Sequence, residues 1–147
     1  MQEGSLLLNS VNVSLSASLG ATLYLCDHVA DSAFTLNGQS GLQCANSPAS
    51  TTQVSGCLFA FNGGNGLDAW SNGNPNFIVN SVFEGNRGWG ANINYNTWTV
   101  ANNSFVANSY GLLHYDGTIS ITNNVVRGNT NCGISLSYAW ATVDSNL

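Results

Sequence analysis

A short phrase returns four times in the second half of this chain: Phe59-Ala-Phe-Asn62, Phe83-Glu-Gly-Asn86, Phe105-Val-Ala-Asn108 and Val126-Arg-Gly-Asn129. The asparagines are 24, 22 and 21 residues apart, and each is followed three or four residues later by a glycine: Gly66, Gly90, Gly111 and Gly133. Self-similarity at a near-constant period is the signature of a repeat architecture.

Each repeat divides in the same way. A short apolar strand (Phe77-Ile-Val, Trp98-Thr-Val, Ile119-Ser-Ile) leads into polar turn residues, Asn80-Ser81, Asn102-Asn103 and Asn123-Asn124, with Ser55-Gly56 in that place one repeat earlier. A second strand carries Phe or Val and ends at the motif Asn. After the glycine a third strand alternates, as in Gly66-Leu-Asp-Ala and Gly111-Leu-Leu-His. Alternation marks a strand with one buried face, and no window has a helical period. Three short strands per repeat, with Asn and Gly turns, describe one coil of an all-β, single-stranded parallel β-helix of five to six coils. A lone coil cannot bury its apolar face, so coils stack and equivalent residues form columns. Phe59/Phe83/Phe105/Val126 and Leu67/Ala91/Leu112/Ile134 are expected to fill the interior. Asn62, Asn86, Asn108 and Asn129 are expected to form a ladder at a turn, Asn being tolerant of left-handed backbone and able to bond along the stack. The glycines are expected to supply positive φ at the next corner. Trp70, Tyr95, Tyr115 and Tyr138 fall near a fourth common position, suited to an aromatic ladder.

Residues 1–147 read as a single domain: regular coils over 54–147, and degenerate coils with a loop over 1–53. Leu6-Leu-Leu, Val11-Asn-Val, Leu23-Tyr-Leu and Phe34-Thr-Leu read as strands of two or three capping coils. Ala45 to Thr52 reads as a polar excursion. The opening stretch lacks a basic segment and reads as a strand rather than a signal peptide. Val143 to Leu147 begins another coil and breaks off, so the chain reads as part of a longer protein whose ends meet neighbouring subunits.

Composition excludes several classes of function. Charged residues make up 6 % of the chain, against roughly 25 % in an average soluble protein. There is no lysine, Arg87 and Arg127 are the arginines, and the formal net charge is −5. Nucleic acid needs a basic footprint, which is missing. No stretch approaches the roughly 20 apolar residues of a membrane-spanning helix. The four cysteines, Cys26, Cys44, Cys57 and Cys132, form no CxxC pair, so neither a zinc site nor a cofactor is expected. Cys57 and Cys132 lie about three coils apart, too far to bridge. Cys44–Cys57 or Cys26–Cys44 can form a disulfide, and four small buried apolar residues is an equal reading.

The FxxN phrase and the glycine-rich stretch Phe83 to Ile93 (FEGNRGWGANI) resemble the right-handed parallel β-helix of the pectin-lyase-like superfamily. Within it they are similar to polymorphic outer-membrane and autotransporter-type surface proteins. The resemblance covers Val54 to Leu147 and implies an extracellular, cell-surface or virion-surface setting with carbohydrate or cell-surface contact. It does not imply catalysis, because function lives in sites grafted on folds.

Catalytic candidates are few. A lyase needs a base and clustered cationic charge, which this acidic chain lacks. A glycoside hydrolase needs two carboxylates roughly 5–9.5 Å apart. Asp68 and Asp116, on the outward phase of the third strand and just past it two coils on, are the pair to test; solvated surface acids are the plainer reading. His114 occupies the slot of Ile93 and Leu136 and points inward, as a hydrogen-bonded core histidine. His28 neighbours Asp27 but has no nucleophile beside it. Asn12-Val-Ser14 and Asn102-Asn-Ser104 match the glycosylation sequon. Trp89 and Tyr110, in the turn before the glycine, are candidates for contact with a glycan or a neighbouring chain. The expected function is a non-enzymatic extracellular scaffold or adhesion module of a fibre or surface assembly. The alternative is a polysaccharide-degrading enzyme using Asp68 and Asp116.

Overall fold

In the computed structural model, residues 7–24, 26–46, 51–71 and 75–147 are described. Every strand pairing is parallel, and strands recur in threes. The first coil holds β1 (Leu7–Asn9), β2 (Asn12–Ser14) and β3 (Ala21–Leu23). The second holds β4 (His28–Ala30), β5 (Ala33–Thr35) and β6 (Leu42–Asn46). The third has β7 (Gln53–Ser55), β8 (Leu58–Ala60) and β9 (Leu67–Ser71), and the fourth β10 (Asn76–Val79), β11 (Val82–Glu84) and β12 (Trp89–Asn94). The fifth runs through β13 (Thr97–Ala101), β14 (Ser104–Val106) and the first half of β15 (Tyr110–Thr122). The sixth takes the rest of β15, then β16 (Val125–Arg127) and the first half of β17 (Cys132–Asp144). The rest of β17 starts a seventh coil.

The coils build three faces. Face one stacks β1, β4, β7, β10, β13 and the second halves of β15 and β17. Face two stacks β2, β5, β8, β11, β14 and β16. Face three stacks β3, β6, β9, β12 and the first halves of β15 and β17. The expected interior columns are in register: Phe59 pairs with Phe83, Phe83 with Phe105 and Phe105 with Val126 on face two. Leu67, Ala91, Leu112 and Ile134 align on face three. The Phe column extends one coil further, to Phe34, and its rings stack 5.2, 4.9 and 4.7 Å apart within 7° of parallel. Such stacking adds about 0.5–1.5 kcal/mol per pair to the burial of the rings.

Hydrogen bonds along the Asn column are of one kind. Asn62 Nδ2 donates to Asn86 Oδ1 at 2.9 Å, Asn86 Nδ2 to Asn108 Oδ1 at 2.9 Å, and Asn108 Nδ2 to Asn129 Oδ1 at 3.2 Å. Each Nδ2 also reaches back to the carbonyl of the Phe one coil earlier, as Asn86 does to Phe59 O at 2.9 Å. The next Oδ1 accepts the backbone N–H of the rung as well, Asn86 N donating to Asn108 Oδ1 at 3.0 Å. The amide thus satisfies the turn backbone that no strand pairing reaches. Asn37 is a further rung, donating to Asn62 Oδ1 at 3.0 Å.

Two expectations about this turn need correction. The left-handed residues are not the asparagines but those just before them: Leu36, Phe61, Gly85, Ala107 and Gly128. Asn37, Asn62, Asn86 and Asn108 are buried and Asn129 partly so, and their role is hydrogen bonding rather than backbone tolerance. Nor do Gly66, Gly90, Gly111 and Gly133 have positive φ. They are required for space, since a Cβ on Gly66 would lie 2.6 Å from Gly90 O and one on Gly90 2.8 Å from Gly111 O.

A second ladder runs at the corner between faces one and two. Asn103 Nδ2 donates to Asn124 Oδ1 at 3.0 Å and Asn124 Nδ2 to Asn146 Oδ1 at 2.9 Å. Ser81 and Ser32 hold the same column in earlier coils, where Ser81 Oγ accepts from Cys57 N and Ser32 Oγ from Val11 N. The described strands of the first half therefore keep the same register as those of the second. Of the expected polar excursion, Ala45 and Asn46 belong to β6, and residues 47–50 lie outside the described residues, as does the opening stretch 1–6.

Asn86→Ala should cost about 2–4 kcal/mol, because it strands the Asn62 donors and the Phe59 carbonyl inside the turn. Asn131→Ala, at an exposed position of the following turn, should stay within about 0.5 kcal/mol. Urea unfolding of the two variants checks the contrast.

Candidate functional site

Asp68 lies on β9 with its side chain on the outer side of face three, yet it is buried. Its carboxylate accepts from Ser40 Oγ at 2.6 Å, Asn65 Nδ2 at 2.6 Å and Asn92 Nδ2 at 3.1 Å. It ties three successive coils together. Asp116 is exposed, in left-handed backbone at the corner where β15 passes from face three to face one. Asp68 aligns with Asn92 and Asn92 with Leu113, so Asp116 is two coils and three residues away. Strand spacing and rise put their Cα atoms about 14 Å apart. A paired-acid mechanism needs roughly 5–9.5 Å. The fold separates them because one belongs to a strand and the other to the corner beyond it.

Trp89 and Tyr110 pair in register and stack on each other, centroids 4.5 Å apart. Both are half-buried, so much of each ring meets the other ring rather than solvent. The register puts Tyr115 level with Trp70, both facing Asn94 in β12. Tyr95 and Tyr138 lie one residue further on, at the corner. Tyr95 meets Tyr115 edge-on at 6.3 Å and Tyr115 meets Tyr138 at 5.5 Å. The expected aromatic ladder is thus a staggered run of edge-to-face contacts, because two register positions contribute to it.

His114 aligns with Ile93 and Leu136 and is wholly buried, as its slot requires. Neither ring nitrogen makes a well-formed hydrogen bond, although the Ile93 backbone lies close enough to pull on the ring. Burial pushes its pKa below the usual imidazole value, against weaker opposite pulls from the Ile93 backbone and the Asp116 carboxylate. Its column mates are apolar, so it has no group to share a proton with. His28 Nδ1 lies 3.2 Å from Gln53 Oε1, its neighbour one coil on, and no nucleophile joins them.

Cys26 and Cys44 form a disulfide, with Cα atoms 5.5 Å apart. Cys57 and Cys132 are free. Cys57 takes a serine slot of the second ladder, and burial raises its thiol pKa, so it stays protonated. The sequon residues Asn12 and Asn102 are both exposed, on β2 and at the left-handed corner before the second ladder. A shallow groove of about 320 Å³ crosses face one, lined by Gln53, Val54, Ser55, Phe77 and Val79. That lining carries no titratable group. No cluster of three or more metal-ligating side chains occurs among the described residues.

This geometry of three parallel faces, inward ladders and a continuous apolar column is matched by one comparison. Residues 2–147 fit the family of right-handed β-helix regions. The chain belongs to that family. No curated protein and no solved structure matches it. Membership fixes the β-helix and its hand; the narrower outer-membrane or autotransporter type has no such support.

Sequence reasoning missed the ladder roles of Asn103, Asn124 and Asn146, although their spacing of 21 and 22 residues repeats that of the first ladder. It also missed Phe34-Thr-Leu-Asn37, a fifth copy of the opening phrase followed by Gly41.

A buried imidazole without a well-formed hydrogen bond has a pH signature. It is neutral in the folded protein and protonates more readily when unfolded, so the unfolded chain binds more protons below about pH 6.5. Stability should fall as the pH drops through that value, by up to about 1.4 kcal/mol per pH unit, until the folded pKa is reached. His114→Leu should remove this component and add about 1–3 kcal/mol at neutral pH. Denaturant unfolding of both proteins between pH 5 and 8 tests it. Reducing Cys26–Cys44, which closes a loop of sequence separation 18, should lower the unfolding free energy by about 3 kcal/mol. The same assay with and without reductant measures that loss.

Proposed function

We propose that this β-helix is a non-catalytic, surface-exposed scaffold or adhesion module that works by presenting one rigid face to glycans or neighbouring subunits. The observation that carries the reading is the fate of the acids. Asp68 is held by three donors from three coils, and the Asp116 Cα stands about 14 Å from its own. Neither is placed to act on one glycosidic bond with the other. His114, a titratable side chain that does stand in an interior column, faces inward without a well-formed hydrogen bond.

Two features support an extracellular or surface setting. The Cys26–Cys44 disulfide suits an oxidising compartment. Asn, Ser, Thr and Gly take the place of lysine on the surface, which suits a protein that meets neutral hydroxylated partners rather than polyanions. Assembly through the ends belongs to the same reading.

A depolymerisation screen over neutral and acidic polysaccharides tests the proposal, with wild type, Asp68→Asn and Asp116→Asn compared. The expected result is no turnover by any of the three. Turnover that Asp116→Asn abolishes would overturn the scaffold reading, because that exposed corner residue can be replaced by Asn without disturbing its left-handed backbone.

A further inference from the structure

Among the described strands of face two, one acid and one base are the charged residues, and both stand in a single outward column. In β11, β14 and β16 the inward residues are Phe83, Phe105 and Val126. Val82 and Glu84, Ser104 and Val106, and Val125 and Arg127 therefore point outward. The register sets Glu84, Val106 and Arg127 in line, the acid one coil before the valine and the base one coil after it.

Beside that column runs a second, in which Leu58, Val82, Ser104 and Val125 follow one another. Leu58 and Val82 are 37 % and 38 % exposed. The outward phase of a half-buried strand is normally polar. Face one obeys that rule in the fifth and sixth coils with Thr97, Thr99, Thr118 and Ser120. Face two instead offers aliphatic side chains to water on a flat sheet, and these gain free energy when a second surface covers them.

The order of the charges indicates what covers them. A half-turn about a line through Val106, running along the strand direction, maps the face onto itself. Val106 then falls on Val106, the fourth coil on the sixth, and Glu84 on Arg127. A second copy placed by that rotation sets Glu84 against its Arg127 and Arg127 against its Glu84, with no like charges opposed. Val82 meets Val125 in both directions. Self-complementarity of this kind is what an isologous two-fold interface requires. Packed sheets lie about 10 Å apart, a gap that a glutamate and an arginine side chain span together. Copies with parallel solenoid axes gain no such match, because that rotation exchanges the two columns and leaves both charges facing valines. A partner of one charge sign is attracted at one end of the column and repelled at the other.

We infer that face two is the contact surface of an antiparallel homodimer, with its two-fold axis at Val106 and two Glu84–Arg127 pairs fixing its register. Short strands at a spacing of about 4.8 Å give a patch below the roughly 800 Å² per partner of a stable interface. The dimer is therefore a weak one, with a dissociation constant of about 100 μM. The inference rests on the scaffold reading for the idea of a neighbouring subunit. Turnover in the polysaccharide screen would sink that reading and leave the dimer standing, whereas a monomeric protein would sink the dimer alone.

Sedimentation equilibrium of wild type, Glu84→Arg and Arg127→Glu over about 10–500 μM protein tests it. Both side chains point outward, so each variant should unfold at the wild-type denaturant concentration. Wild type should dimerise, and added salt should weaken the association. Each variant alone opposes like charges and should associate at least about tenfold more weakly. An equimolar mixture of the two variants should recover wild-type association, because each copy then carries the charges the other needs. A pair formed within one copy, or contact through another face, gives no such recovery. Wild type that stays monomeric at about 500 μM, variants that associate as wild type does, or a mixture no stronger than its components would overturn the assignment. A marked loss of stability in either variant would make Glu84 and Arg127 structural and overturn it equally.

Discussion

Everything in this β-helix depends on the inward-facing asparagine at a corner. Parallel strands satisfy one another along the faces, but a sharp turn between faces leaves backbone groups pointing into a dry interior. An unpaired group there costs about 1–3 kcal/mol, and the turn recurs in every coil. A primary amide solves the problem because it carries two donors and an acceptor on a short stem. Asn86 shows the full pattern: its side chain reaches back to Phe59 O and forward to Asn108 Oδ1, while its backbone N–H shares that same oxygen. The rung locks the coil spacing, and the spacing lets Phe34, Phe59, Phe83 and Phe105 stack in parallel. The glycine after each rung follows from the same closeness, since a Cβ on Gly90 would press on the Gly111 carbonyl and the Phe105 ring.

This dependence explains why the fold was legible in the sequence and the site was not. Phe, Asn and Gly recur because stacking leaves few substitutes at those positions, so their period shows in the bare chain. Legibility weakened where the physics allows alternatives. The second ladder changes from Asn124 and Asn103 to Ser81, Cys57 and Ser32 toward the N-terminus, because a hydroxyl can replace an amide at some cost in hydrogen bonds. Its regularity is spatial rather than textual. The left-handed residue could not be read from the Asn pairs, since Asn102 is the strained member and Asn103 the rung. The outward acids were harder still. Nothing in Gly66-Leu-Asp-Ala indicates that Ser40 and Asn92, from coils on either side, close over Asp68.

His114 shows the limit of column logic from the other direction. Its slot belongs to Ile93 and Leu136, and the chain places it inward as the alternation demands. Position in the repeat overrides the chemistry of the side chain, leaving a buried imidazole without a well-formed hydrogen bond. A single such conflict is tolerable in a stack whose remaining columns agree, because burial of the neighbouring apolar residues outweighs it.

The two kinds of departure from the repeat have different consequences. An inward departure such as His114 lowers stability and is confined to one coil. The outward departures at the third corner are linked, because Tyr95, Tyr115 and Tyr138 touch across coils and the strained backbone beneath is braced by Trp98. In a solenoid, any outward property repeated on successive coils becomes a line parallel to the axis. A helix of this kind can therefore line up outward side chains from successive coils without altering the ladders that hold it together. The same regularity that makes the interior readable gives the exterior its one-dimensional form.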